Sequence, residues 1–117
     1  MKVLVCGGAG YIGSNMTAML ANEGHEPVVY DNLSKGHRGA VKDAEFVLGD
    51  LADYDLLVET LEKHDIEAVM HFAAFIEVGE SVDQPLRYYH NNFTNAQNLL
   101  AAMEKVGVKK FVFSLKK

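Results

Sequence analysis

Hydrophobic and polar positions follow two patterns along this chain. Short apolar runs recur between polar stretches: "KVLVC" at 2–6, "PVVYD" at 27–31, "EFVLGD" at 45–50, "EAVMHFAA" at 67–74 and "KKFVFSL" at 109–115. Runs of this length and continuity predict five strands buried on both faces. The intervening segments carry a helical period instead. Ile12, Met16, Met19 and Leu20 recur at helical spacing, and Gly24 ends that helix. Asp53 is a capping residue for a helix with apolar positions Leu57, Val58 and Leu61. The longest helix presents Leu86, Tyr89, Phe93, Ala96, Leu100 and Met103 as one continuous face, and Gly107 stops it.

The elements therefore run β-α-β-β-α-β-α-β. Parallel strands joined by right-handed crossovers give a doubly wound α/β sheet with strand order 3-2-1-4-5. The link from the second strand to the third lacks a full helix and crosses through 32–43. Two polar loops, "DNLSKGHRG" at 31–39 and "IEVGESVDQP" at 76–85, interrupt the pattern, and no internal repeat or low-complexity segment occurs.

The first strand breaks into Gly7, Gly8 and Gly10, and Gly13 falls at the start of the first helix. Gly7, Gly10 and Gly13 form G-x-x-G-x-x-G directly between strand and helix. One glycine makes the tight turn, one admits a pyrophosphate close to the backbone, and the last lets the helix pack on the sheet. Free N–H groups at the helix start then face the anion. Asp31, 18 residues past Gly13, ends the second strand. In a Rossmann sheet a carboxylate there accepts hydrogen bonds from the adenosine ribose and repels a 2′-phosphate, which favours NAD over NADP. Lys35 and Arg38 nearby either lie over a phosphate or are solvated loop charges. Asp50 ends the third strand, where it either bonds an adenine amino group, with Leu51 packed on the ring, or serves as a helix-entry aspartate. Small Ala73 and Ala74 end the fourth strand and either let a cofactor pass or simply pack tightly.

Composition narrows the classes further. With 117 residues, 49% of them hydrophobic, the chain suffices for one domain with a real core. A net charge of −5 with no basic patch argues against a nucleic-acid partner. No apolar stretch is long enough to span a membrane, and the N-terminus is no signal peptide. A cytoplasmic protein is the expectation. The single cysteine, Cys6, reads as a small buried hydrophobe. His25, His37, His64, His71 and His90 show no metal-ligand spacing; His71 reads as a strand-end packing residue and the others as solvated.

Taken together, "VLVCGGAGYIGS", "YDNLSKG", "GDL", "VMHFAA", "VGES", "PLRYYHNN" and "KKFVFS" resemble, in order and at matching intervals, the UDP-glucose (UDP-galactose) 4-epimerases among the extended short-chain dehydrogenases/reductases. The resemblance extends to Ser114. It implies an NAD-binding Rossmann domain over 1–117, from an enzyme that oxidises a nucleotide-sugar at C4 and returns the hydride to the other face. It also implies cofactor contacts. Gly7, Gly10, Tyr11, Ile12 and Gly13 would cradle the pyrophosphate. Asp31, Asn32, Lys35 and Gly36 would surround the ribose and its phosphate, and Asp50 and Leu51 would take the adenine. Phe72, Ala73 and Ala74 would line the middle of the cofactor, with Asn91 approaching from the long helix.

The chain also departs from that pattern. Cys6 stands where threonine is common, and Ile76, with Glu77 beside it, stands where some members place a lysine over the pyrophosphate. The family's catalytic Tyr-x-x-x-Lys pair does not occur: the residues four past Tyr11, Tyr30, Tyr54, Tyr88 and Tyr89 are Asn15, Ser34, Val58, Asn92 and Phe93. The expectation is an N-terminal portion that binds NAD and does not turn over alone. The alternatives are a minimal engineered scaffold and a portion of a related nucleotide-sugar dehydratase or decarboxylase. The sheet edge around Val112, Phe113 and Leu115 is expected to be exposed and to support a homodimer, with Lys116 and Lys117 either guarding it or merely ending the segment.

Overall fold

The computed structural model describes residues 1–7, 11–32, 44–72 and 85–113. Among the described residues five strands and three helices follow in chain order: β1 (Lys2–Cys6), α1 (Tyr11–Asn22), β2 (Glu26–Asp31), β3 (Glu45–Leu48), α2 (Tyr54–Lys63), β4 (Ala68–His71), α3 (Pro85–Val106) and β5 (Lys110–Phe113). The strands form one sheet in the order β3-β2-β1-β4-β5, as expected, and every adjacent pair is parallel. The 33–43 crossover lies outside the described residues.

The register sorts side chains onto two faces. Cys6 is level with Tyr30 and His71, and Tyr30 with Val47, so these four residues form one row across the sheet. That face, with Leu4, Val28 and Val69, is buried with Leu57 and Leu61 of α2 and Leu99, Ala102 and Met103 of α3. Val3, Val5 and Val29 lie on the opposite face, the side where α1 packs on β1 and β2. Among the described side-chain positions of α1, Gly13 and Thr17 are buried, and Thr17 Oγ1 donates to the Gly13 carbonyl at 2.7 Å. Small residues at this contact let the helix approach the sheet closely. Met19, placed by the helical period on the same stripe, is 55% exposed instead.

The long helix departs from its predicted face in the same way. Leu99, Ala102 and Met103 are buried, whereas Leu100 is 46% exposed. Successive helical residues are about 100° apart, so the pair Leu99–Leu100 could have buried either member. Packing against α2 selected Leu99.

Each of the described helices is followed by a left-handed residue. Gly24 (φ 88) and Gly107 (φ 93) fill this role after α1 and α3, as their composition suggests. After α2 the residue is Asp65, at φ 52. Its N–H donates to the Glu62 carbonyl at 3.2 Å, and the Ile66 N–H donates to the Leu61 carbonyl at 3.1 Å. This is the Schellman pattern, completed by buried Leu61 and Ile66. At the other end of α2, Asp53 Oδ1 accepts from the Leu56 N–H at 3.1 Å, the cap expected from sequence.

Candidate functional site

Parallel strands direct all their carboxyl ends to one edge of the sheet. The order reverses at β1, so β2 and β4 flank it and a crevice opens outside those ends. Backbone bonds carry each strand one step past its end. Gly7 N–H donates to the Tyr30 carbonyl at 2.9 Å, Gly49 N–H to Asp31 at 3.1 Å, and Phe72 N–H to Cys6 at 2.8 Å. Gly7, Asp31–Asn32, Gly49–Asp50 and Phe72 are thereby gathered along one edge.

Gly7 turns the chain at φ 80, a conformation that only glycine adopts without strain. Helix α1 begins at Tyr11, four residues after this turn. Gly13 is buried. Asp31 ends β2 half-buried, and Asn32 follows it, exposed. Asn32 Nδ2 lies 3.5 Å from Asp50 Oδ2, which links the ends of β2 and β3. Asp50 Oδ1 accepts from the Ala52 N–H at 3.0 Å, so the carboxylate is oriented by its own turn. Asp50 is exposed, whereas Leu51 is 9% exposed and belongs to the core. The Leu51 side chain therefore offers little surface to a base. Phe72 is half-buried after β4. Gly10, Lys35, Gly36, Ala73, Ala74, Ile76 and Glu77 lie outside the described residues. Of Tyr11, Ile12 and Asn91, the structure describes only the helical backbone.

Titratable groups under the site are held in neutral form. Burial, with a smaller contribution from the Asp31 charge, pushes the Cys6 thiol up. Burial also pushes the Tyr30 phenol up, helped by Asp53, Cys6 and Asp50, so it remains a proton donor. Burial pushes His71 down to about 4, with a backbone hydrogen bond opposing. It is buried in the sheet, in keeping with a packing role. His64 is not simply solvated, because its Nδ1 lies 3.2 Å from Glu45 Oε2. Among the described residues no cluster of His, Cys, Asp and Glu could hold a metal.

Three residues around the site carried no functional signal in the sequence. Tyr30 and Gly49 stand within apolar strand runs, and Asn98 is one polar position on a long helix. Tyr30 Oη donates to the Asp50 carbonyl at 2.7 Å, and Asn98 Nδ2 donates to the Leu51 carbonyl at 2.7 Å. A Cβ at Gly49 would stand 2.7 Å from Tyr30 Cζ, Tyr30 Oη and Leu56 Cδ2. The missing side chain is the space that Tyr30 fills.

Residues 3–115 match the profile of the NAD dependent epimerase/dehydratase family. The chain belongs to this family. It is 51% identical to the UDP-glucose 4-epimerase of Rhizobium leguminosarum bv. trifolii over 112 residues, which are 96% of this chain and 34% of that protein. It is 47% identical to the UDP-glucose 4-epimerase of Klebsiella pneumoniae over 97% of this chain and 88% of the relative. Among solved structures, UDP-glucose 4-epimerase from Brucella ovis in complex with NAD superposes with a TM-score of 0.92 at 51% identity, covering 96% of this chain and 34% of that one. The Thermus thermophilus UDP-glucose 4-epimerase complex with NAD gives 0.90 at 38% identity, covering 97% of this chain and 37% of that one. The chain thus spans about a third of the length of most of these relatives. No described helix is long and apolar enough to cross a membrane.

Proposed function

We propose that this chain is the NAD-binding portion of a UDP-glucose 4-epimerase. The observation that carries this reading is the convergence of the left-handed Gly7 turn with Asp31, Asn32 and Asp50 at the carboxyl ends of adjacent parallel strands. A fold with this switch point binds dinucleotides in that crevice. The NAD complexes of the Brucella and Thermus relatives support the same ligand.

The residues suit the group they would hold. N–H groups around Gly7, Gly10, Tyr11, Ile12 and Gly13 would face the pyrophosphate at the α1 N-terminus. Asp31, with Asn32, Lys35 and Gly36, would hold the adenosine ribose, and its charge would exclude a 2′-phosphate. The Asp50 carboxylate would accept from the adenine amino group, with Leu51 contributing mainly backbone. Phe72, Ala73, Ala74 and Asn91 would continue the site past β4. When bound, the nicotinamide would supply reversible hydride acceptance. The 117 residues hold no Tyr-x-x-x-Lys, so the function proposed for them is binding, and epimerisation requires a polypeptide that supplies that acid/base pair. Two further parts of the reading are a cytoplasmic location, consistent with the buried free thiol of Cys6, and self-association through the outer edge of β5, where Val112 is 53% exposed.

Calorimetric titration with NAD⁺, NADP⁺ and ADP tests the proposal. NAD⁺ and ADP are expected to bind comparably and NADP⁺ roughly tenfold or more weakly, since Asp31 opposes the added phosphate. Absence of binding by all three at millimolar concentration would overturn it.

A further inference from the structure

The turn after β3 is anchored from two elements that are distant in sequence. Tyr30, in β2, donates to the Asp50 carbonyl, and Asn98, in α3, donates to the Leu51 carbonyl, each at 2.7 Å. Two consecutive peptide groups are thus held, which sets the backbone torsions at Leu51 between them. The peptide that Asn98 grips is also the one whose N–H, on Ala52, donates to Asp50 Oδ1 at 3.0 Å. Hydrogen bonds on the two ends of one peptide polarise each other in the same sense. Asn98 therefore both orients and strengthens the donor that fixes the Asp50 side chain. With Oδ1 fixed in this way, Oδ2 stands 3.5 Å from Asn32 Nδ2, on the side of the β2 end.

Tyr30 fits this task by packing as well as by its hydroxyl. The phenol is 1% exposed, so the donor is rigidly placed. Its ring occupies the space that a Cβ at Gly49 would need. The phenol also stays protonated, because burial raises its pKa.

We propose that Tyr30 and Asn98 are positioning residues that aim the Asp50 carboxylate at the purine base, and so set a preference for a base carrying an exocyclic amino group. This rests on the dinucleotide-binding reading above. An aimed carboxylate accepts from an amino group and repels a keto oxygen at the same place. A carboxylate left free to rotate keeps its charge and loses that discrimination.

The test compares NAD⁺ with its hypoxanthine analogue, in which a keto oxygen replaces the adenine amino group, on the full chain and on Tyr30→Phe and Asn98→Ala. The unaltered chain is expected to prefer NAD⁺ roughly tenfold, and each variant to cut that preference roughly threefold or more, with affinity for the analogue nearly unchanged. A merely structural role would weaken both ligands alike and leave the ratio intact, and an intact ratio in both variants overturns the proposal. Amide hydrogen exchange on the free chain is the second measurement. The Ala52 amide should exchange roughly threefold or more faster in each variant, with Val5 and Val29 amides unaltered, and unchanged Ala52 exchange overturns the anchoring. If the unaltered chain binds NAD⁺ without preference over the analogue, the positioning proposal fails and the dinucleotide reading stands. If it binds neither ligand, both fail.

Discussion

Gly49 is the position where one added carbon should reveal how tightly this edge of the sheet is built. Its backbone is not in the left-handed region, so an alanine meets no conformational barrier there, only a spatial one. The new Cβ would stand 2.7 Å from Leu56 Cδ2, Tyr30 Cζ and Tyr30 Oη, against about 3.5–4.0 Å for an unstrained carbon–carbon contact. Leu56 can swing its terminal methyl aside. Tyr30 cannot move cheaply, because its ring is fully buried and its hydroxyl is bonded to the Asp50 carbonyl at 2.7 Å. Overpacking of this kind costs about 1–3 kcal/mol. Displacing the phenol also forfeits a hydrogen bond worth about 0.5–1.5 kcal/mol. Gly49→Ala should therefore destabilise the chain by about 2–4 kcal/mol, a large share of the ~5–15 kcal/mol typical of a domain. Urea denaturation followed by circular dichroism reads this as a lower midpoint at unchanged slope. Tyr30→Val removes the ring, so the pair Gly49→Ala/Tyr30→Val should be more stable than the sum of the single costs by about 1 kcal/mol or more. A Gly49→Ala chain within about 0.5 kcal/mol of the original, or strict additivity in the cycle, would refute the steric account.

Two further outcomes follow from groups elsewhere in the fold. Burial holds His71 at about 4 in the folded chain, against 6.5 for the unperturbed group, so the unfolded chain binds a proton that the folded one refuses. Stability from this residue is therefore complete above the unfolded value and is lost as pH falls from there toward 4, amounting to about 2 kcal/mol between pH 7.5 and pH 5. His71→Gln should flatten that part of a denaturation-versus-pH profile, and an unaltered slope would exclude His71 as its source. Asp65 holds φ 52 where glycine is preferred, and places a negative charge beside the carboxyl end of α2. Asp65→Gly should raise stability by about 0.5–1 kcal/mol, read as a higher melting temperature, and a lower one would show that Asp65 makes a compensating interaction.

Much of the architecture is legible in the sequence because its causes are local. Continuous apolar runs marked the strands, Gly24 and Gly107 marked two helix ends, and the handedness of crossovers reduced the sheet to the order 3-2-1-4-5. The Gly7 turn and Asp31 were readable for the same reason, since a left-handed turn needs glycine and a strand-end carboxylate needs only its place in the run. What the sequence left undetermined depends on contacts between distant segments. Leu99 and Leu100 are equally apolar, and only α2 decides that Leu99 faces inward. Met19 shares the helical period of α1 yet is exposed, whereas Gly13 and Thr17 are buried. The end of α2 carries no glycine signal, because an aspartate occupies the left-handed position. Least visible of all was the anchoring of the Asp50 turn. Tyr30 lies 20 positions from Asp50 and Asn98 lies 47 from Leu51. A hydrogen bond between such residues has no period or spacing in the chain, and exists only once sheet and helix have packed.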